Sequence, residues 1–193
     1  IAVTQTVTVT DNQLPVISTS GPITANTDLD ACSAAVSVVA ATAIDDCAVV
    51  GTPAGTRNDG LLLTEPYPVG ITTITWTVTD INGNAAVAVT QTVTVTDNQV
   101  PVITTSGAIT TNNTPGLCSA NVSVTAATAD DNCGVGSPTG VRSDGLPLGN
   151  PYPVGVTTIT WNVMDINGNP AIAAIQTITV TDNQVPVITT SGL

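Results

Sequence analysis

The phrase TDNQVPVITTSG occurs letter for letter at 96–107 and again at 181–192, and a near copy, TDNQLPVISTSG, fills 10–21. Asp11 to Asp97 is 86 residues and Asp97 to Asp182 is 85. A chain that restates itself at this period folds as a series of like units. A unit of about 85 residues is a small domain in its own right, whereas solenoid repeats run to about 20–50. Thr4–Gln13 is also identical to Thr90–Gln99. The repeat therefore divides the chain into 1–10, the last strand of a preceding repeat; 11–96, the first full repeat; 97–181, the second; and 182–193, the first strand of a following one.

Within a repeat the apolar period is two. In TTITWTVTD (Thr72–Asp80), Ile74, Trp76 and Val78 point one way and Thr73, Thr75, Thr77 and Thr79 the other; Ile159, Trp161 and Val163 repeat the pattern. Such alternation marks strands with one dry and one wet face, and β-branched Thr and Val suit a pleated surface. Asn-Gly in DINGN (Asp80–Asn84, Asp165–Asn169) is a hairpin signal; NDG, SDG and PYPVG mark further turns. This predicts about seven strands per repeat, near Val16–Ser18, Ile23–Thr24, Ala34–Ala43, Val50–Thr56, Leu61–Thr64, Thr72–Thr79 and Val87–Thr96. The expected fold is all-β: tandem immunoglobulin-like sandwiches. Each core would close around one Trp, with Tyr67 and Tyr152 packed and their hydroxyls tied to backbone.

Charge narrows the function. Fourteen acidic residues face two arginines, Arg57 and Arg142, with no lysine or histidine. Phosphate backbones require neutralisation by Lys or Arg, so nucleic acid is excluded as a partner, and anionic membrane surfaces with it. No apolar run reaches the length of a membrane span. Without His, and with one Cys pair per repeat, neither the common zinc sites nor Ser-His and Cys-His nucleophiles have their members. The composition reads as that of a protein that is not an enzyme.

CSANVSVTAATADDNCGV (Cys118–Val135) followed by PYPVGVTTITWNVMDINGN (Pro151–Asn169), with CSAAVSVVAATAIDDC (Cys32–Cys47) in the first repeat, resembles the hyalin repeat (HYR) domain. The resemblance implies an immunoglobulin-like fold in extracellular, often tandem, adhesion or structural proteins without catalytic activity. Two cysteines common in that family, in the first and last strands, are absent here.

Cys32 and Cys47 are 15 residues apart, as are Cys118 and Cys133. Cysteines at a repeated spacing in an acidic, Thr-rich chain imply an oxidising, extracellular or cell-surface setting. The resemblance implies pairing within each repeat, Cys32 with Cys47 and Cys118 with Cys133. A straight strand over Ala34–Ala43 would span about 33 Å, against about 7 Å for bridged Cα atoms. A bond from Cys32 to Cys133, or unpaired thiols, are the alternatives.

On a sandwich of this kind the loops Ile44–Cys47 and Asp80–Asn84 lie beside the incoming linker Thr10–Pro15. The expected cluster in the first repeat is Asp11, Asp45, Asp46 and Asp80 with Asn82; in the second it is Asp97, Asp130, Asp131 and Asp165 with Asn167. Oxygen-only ligands of this type are what Ca²⁺ takes at six to eight positions, so calcium is the expected cofactor; Asp and Asn acting as plain solvated turn formers is the alternative. Pro15, Pro101 and Pro186 stiffen a short repeated linker.

The expected function is a structural repeat module of a long extracellular filament, stalk or adhesin shaft, with neighbouring copies of the repeat as partners and calcium rigidifying the joints. The rival readings are a ligand- or glycan-binding adhesion module and the spacer of a secreted enzyme. The sequons at Asn112–Thr114 and Asn121–Ser123 fit glycan attachment.

Overall fold

The computed structural model describes residues 2–189; Ile1 and Thr190–Leu193, which belong to the expected strands at either end, lie outside the described residues. The chain divides into two compact units, Ile1–Asn98 and Gln99–Leu193. Each carries the same eight strands, and no helix is present among the described residues.

In the first unit these are β1 (Val16–Ser18), β2 (Ile23–Asn26), β3 (Ser33–Ala34), β4 (Thr42–Ile44), β5 (Ala54–Arg57), β6 (Tyr67–Pro68), β7 (Gly70–Thr77) and β8 (Val89–Thr96). The second unit repeats them as β9 (Val102–Thr104), β10 (Ile109–Asn112), β11 (Ser119–Ala120), β12 (Thr128–Asp130), β13 (Thr139–Arg142), β14 (Tyr152–Pro153), β15 (Gly155–Asn162) and β16 (Ala174–Thr181).

One layer is a four-stranded sheet ordered β2-β8-β7-β5, antiparallel except for β2, which runs parallel to β8. The opposing layer is built on the run from β3 to β4: β3 pairs with β6 and β4 with β1. Ile17, Ala34, Ala41 and Tyr67 from this layer meet Ile74, Trp76, Val93 and Val95 from the other in a single core. The second unit has the same order, β10-β16-β15-β13, with β11-β14 and β9-β12. This is the expected all-β, immunoglobulin-like sandwich.

Alternation buried the predicted faces. Along β7, Thr72, Ile74 and Trp76 are buried, and along β8, Gln91, Val93 and Val95. Trp76 lies directly opposite Gly55, where a Cβ would come within 2.8 Å of its ring. Only glycine leaves room for the indole. Removing about 200 Å² of aromatic surface from water contributes about 5 kcal/mol before entropy is counted.

Three strand expectations need correction. Ala34–Ala43 is not one ladder: Ala34, Val36 and Val38 face inward, Val39 and Ala40 are both exposed, and Ala41 and Ala43 resume one residue out of phase. Leu61–Thr64 is a turn rather than a strand: its Leu62 carbonyl accepts from Arg57 and its Leu63 carbonyl from the Tyr67 hydroxyl instead of a neighbouring strand. Tyr67–Pro68, read as part of a turn, is a short strand. Residues 2–10 and 182–189 belong to no strand.

Arg57 accounts for the turn. Its side chain is fully buried; Nε and one terminal nitrogen bind both oxygens of Asp59. The remaining N–H groups donate to the carbonyls of Leu62 (3.0 Å), Glu65 (2.8 Å) and Pro66 (3.2 Å). All five guanidinium donors are thereby used. The guanidinium also stacks 3.8 Å from the centroid of Tyr67, whose hydroxyl donates to Leu63. Arg142 does the same with Asp144, Pro147, Asn150, Pro151 and Tyr152.

The within-repeat disulfides are not made. Cys32 and Cys133 are disulfide-bonded, whereas Cys47 and Cys118 carry free thiols. The reason lies in the extended path from Cys32 to Cys47: it passes through β3 and β4, which are pinned to different partner strands, and at about 3.3 Å per residue its ends lie far beyond disulfide reach.

Candidate functional site

The DINGN hairpin positions the central carboxylate. Gly83 N–H closes a turn onto the Asp80 carbonyl, and Gly83 takes φ +94°, so the loop is a turn followed by a left-handed glycine rather than a two-residue Asn-Gly turn. Asp80 is 1% exposed. Its Oδ1 accepts from the backbone N–H of Asn82 and Asn84, both at 2.8 Å, and its Oδ2 from the Asn84 side-chain amide at 2.7 Å. Burial pushes its pKa up, but the Asn84 side chain and these backbone N–H groups outweigh it and hold the carboxyl below its ordinary range. The same Asn84 amide donates to the carbonyl of Asp11 at 3.3 Å, tying the incoming chain to the hairpin.

Asp11 and Asp45 complete the group. Asp11 Oδ1 accepts from Gln13 N–H and Asp45 Oδ2 from Cys47 N–H, each at 3.0 Å. These local turns leave Asp11 Oδ2 and Asp45 Oδ1, which are buried and have no hydrogen-bond partner. Carboxylate oxygens of Asp11, Asp45 and Asp80 all lie within 4.8 Å of one another. Two charges at such a separation repel by about 1 kcal/mol in water and about 4 near a protein surface. No protein cation relieves this: Arg57 and Arg142, the only basic residues, are both buried against their own loops.

Asp46 is exposed and joins Asp11 at the Cys47 sulfur, with ligand atoms of all three within 4.8 Å. Desolvation, Asp11 and Asp46 push the Cys47 thiol above its ordinary value of 9.0. Asn82 contributes its backbone N–H rather than a side-chain oxygen.

In the second unit Asp165 is held by Asn167 and Asn169 N–H, both at 2.8 Å, and by the Asn169 amide at 2.7 Å. Asp131 Oδ2 accepts from Cys133 N–H at 3.0 Å, leaving Oδ1 buried without a hydrogen bond. Asn167, like Asn82, gives its backbone only. Asp130 is the exposed last residue of β12, opposite Val102. Asp97, buried at the end of the first unit, accepts from Thr27 Oγ1 at 3.2 Å.

Sequence reasoning chose Asn82 and Asn167 and missed Asn84 and Asn169. The spacing Asp-x-x-x-Asn, present in both copies, is the signal that would have found them.

Among known proteins, residues 96–181 match the family model of the HYR domain. Over 193 residues, 97% of this chain, the sequence is 34% identical to hyalin of Strongylocentrotus purpuratus, and it is 35% identical over 149 residues to hyalin of Lytechinus variegatus. The chain spans 15% and 27% of the lengths of those two proteins. Among solved structures it is similar to the fibronectin(III)-like modules of Clostridium thermocellum CbhA, with 15% identity, a TM-score of 0.35, and coverage of 92% of this chain and 100% of that one.

Proposed function

Because residues 96–181 belong to the HYR domain family, we propose that the chain is a non-catalytic, adhesion-type structural module of a longer extracellular repeat protein, a filament, stalk or adhesin shaft whose repeats bind calcium at their acidic ends. The disulfide-bonded Cys32 and Cys133 fit an oxidising compartment. The repeated, proline-restricted linker phrase fits an array whose neighbouring copies are joined alike.

One observation carries the calcium reading: Asp11, Asp45 and Asp80 come together with two buried, unbonded carboxylate oxygens and no basic residue. Hard oxygen donors of this kind match Ca²⁺, which would neutralise the repulsion and tie the entering chain to two loops of the sandwich. Asp80 and Asn84 fix the site; Asp11 and Asp45 supply the freer oxygens.

The test is thermal unfolding in EGTA and in millimolar CaCl₂. Ion at a hundredfold excess over Kd adds about 2.7 kcal/mol, about 10 °C or more in a unit of this size. An unchanged Tm removes calcium from the reading. Against the glycan-binding alternative, Tyr67, Trp76, Tyr152 and Trp161 are all buried, so no aromatic ring is offered to a sugar.

A further inference from the structure

Asn-Gly occurs in the chain at Asn82–Gly83 and Asn167–Gly168, each time at the tip of the hairpin that follows the buried Asp80 or Asp165. The base of each hairpin is gripped: the buried carboxylate accepts the main-chain N–H of Asn82 or Asn167, and both the N–H and the side-chain amide of Asn84 or Asn169. The tip itself is bare. Asn82, Gly83, Asn167 and Gly168 are all exposed, and among the described residues no group hydrogen-bonds the side-chain amide of Asn82 or Asn167. The two glycines, at φ +94° and +95°, have open space within 4 Å of where a Cβ would stand. Gly83 N–H makes a long contact, 3.4 Å, to the Asp80 carbonyl.

We propose that these two tips are sites of self-modification, at which Asn82 and Asn167 cyclise onto the next glycine and open to isoaspartate. The glycine nitrogen attacks the side-chain carbonyl carbon: the N–Cγ bond forms, the Cγ–Nδ2 bond breaks, and the amide nitrogen leaves as ammonia with the glycine's proton. Water then opens the succinimide at one of its two carbonyls, giving aspartate or, with the main chain rerouted through Cβ and Cγ, isoaspartate. Water is the only co-reactant. Asn is a thermolabile residue, and a neighbour without a Cβ leaves the attack unhindered. The other candidates are closed. Asn169 precedes Pro170, which has no N–H to give up. Asp59–Gly60 and Asp144–Gly145 carry the same ring-forming pattern, but Arg57 or Arg142 binds both carboxylate oxygens, and Leu61 or Leu146 N–H binds Oδ1 as well. Isoaspartate at 82 lengthens the main chain between the two N–H groups that share Asp80 Oδ1 and sets a new carboxylate beside it. The Asn84 half of the clamp, which also reaches the Asp11 carbonyl, is pulled out of place. This rests on the hairpin alone and not on calcium.

The test ages the native chain in EGTA in warm, mildly alkaline buffer, beside the same chain unfolded in urea. Peptide mass spectrometry should find the mass gain of an NH₂-to-OH exchange at Asn82 and Asn167. The native rates should lie within about threefold of the unfolded ones, because an exposed loop tip needs almost no opening. A protease that cuts before aspartate but not before isoaspartate should leave most of the product uncut, and an isoaspartyl methyltransferase should label it. Asp59 and Asp144 should take that label in urea and not in the native chain. Ageing should lower Tm in the parent chain and leave it unchanged in the variant carrying Asn82→Gln with Asn167→Gln, whose longer side chains close the ring far more slowly. Native rates about tenfold or more below those in urea overturn the proposal, since the fold would then be protecting the tips. So does deamidation spread evenly over the other asparagines, or a fall in Tm on ageing that the double variant shares.

Discussion

Trp76 and Gln91 are joined by an indole-to-amide hydrogen bond of 3.1 Å, and the other end of Gln91 reaches back 71 residues to Ser20 and 70 to Gly21. Trp161, Gln176, Ser106 and Gly107 form the same triangle in the second unit. The TSG at the end of the recurrent phrase is therefore the anchor of the core tryptophan, while its Asp lies in the acidic loop cluster. One stretch of twelve residues serves both places, which accounts for its constancy within the chain.

Gln91→Leu should strand the buried indole N–H and free the Ser20–Gly21 segment, costing about 2 kcal/mol or more. Denaturant unfolding followed by fluorescence checks this, and Gln176→Leu should do the same to the second unit.

Arg57→Lys should destabilise the first unit by about 3 kcal/mol despite keeping the charge, because an ammonium cannot serve five acceptors from one fixed plane. Proteolysis should move to the Asn58–Pro66 loop. Equal stability of the two proteins would mean that the loop holds itself.

Acid should unfold the chain through its pinned carboxylates. Asp59 and Asp144 are held down by their arginines, and Asp80 and Asp165 by the amides around them, all below an ordinary value of 3.8. A carboxyl whose folded pKa is depressed adds stability above its unfolded pKa and loses it as pH falls through the folded value. Stability in EGTA should therefore be flat above about pH 5 and fall steeply below about pH 4. Asn84→Ala should bring Asp80 back toward the ordinary value and flatten that fall; carboxyl NMR titration follows each group directly.

Asp45→Asn should have opposite effects in the two metal states. In EGTA it removes one charge from a crowded triad and raises Tm; in CaCl₂ it removes a ligand and forfeits the calcium increment. A change of the same sign in both buffers would contradict the metal reading.

Thiol titration of the native, unreduced chain should find Cys47 and Cys118 and no others. The anionic surroundings of Cys47 should slow its alkylation at pH 8, and Asp46→Asn should speed it, as mass spectrometry of the labelled peptides would report.

The sandwich was legible because its long strands obey a period of two over many residues: Thr72–Thr79 and Val87–Thr96 could be read from alternation alone. What escaped reading depended on contacts distant in sequence. Leu61–Thr64 has the composition of a strand, but a buried guanidinium takes the Leu62 carbonyl and the Tyr67 hydroxyl that of Leu63, and no local pattern records those demands. Tyr67–Pro68 is too short, and too rich in turn residues, to show a period. The acidic loops could be placed because a hairpin and a strand end must lie at the same pole of a sandwich. Which asparagine grips Asp80 was hidden, since Asn82 and Asn84 differ only in how the left-handed Gly83 turns the chain. The cysteine pairing within each repeat came from the family resemblance and misled, whereas the length of an extended run over Ala34–Ala43 already argued against it.

With both guanidiniums sealed inside their loops, every charged side chain that water meets on the described residues is an anion. Such an exterior behaves as a polyelectrolyte: two copies of the chain would repel one another in dilute buffer and less so as ionic strength or divalent counter-ions rise. How closely copies of the chain approach one another would then follow the salt of the surroundings, with no change in the fold of either unit.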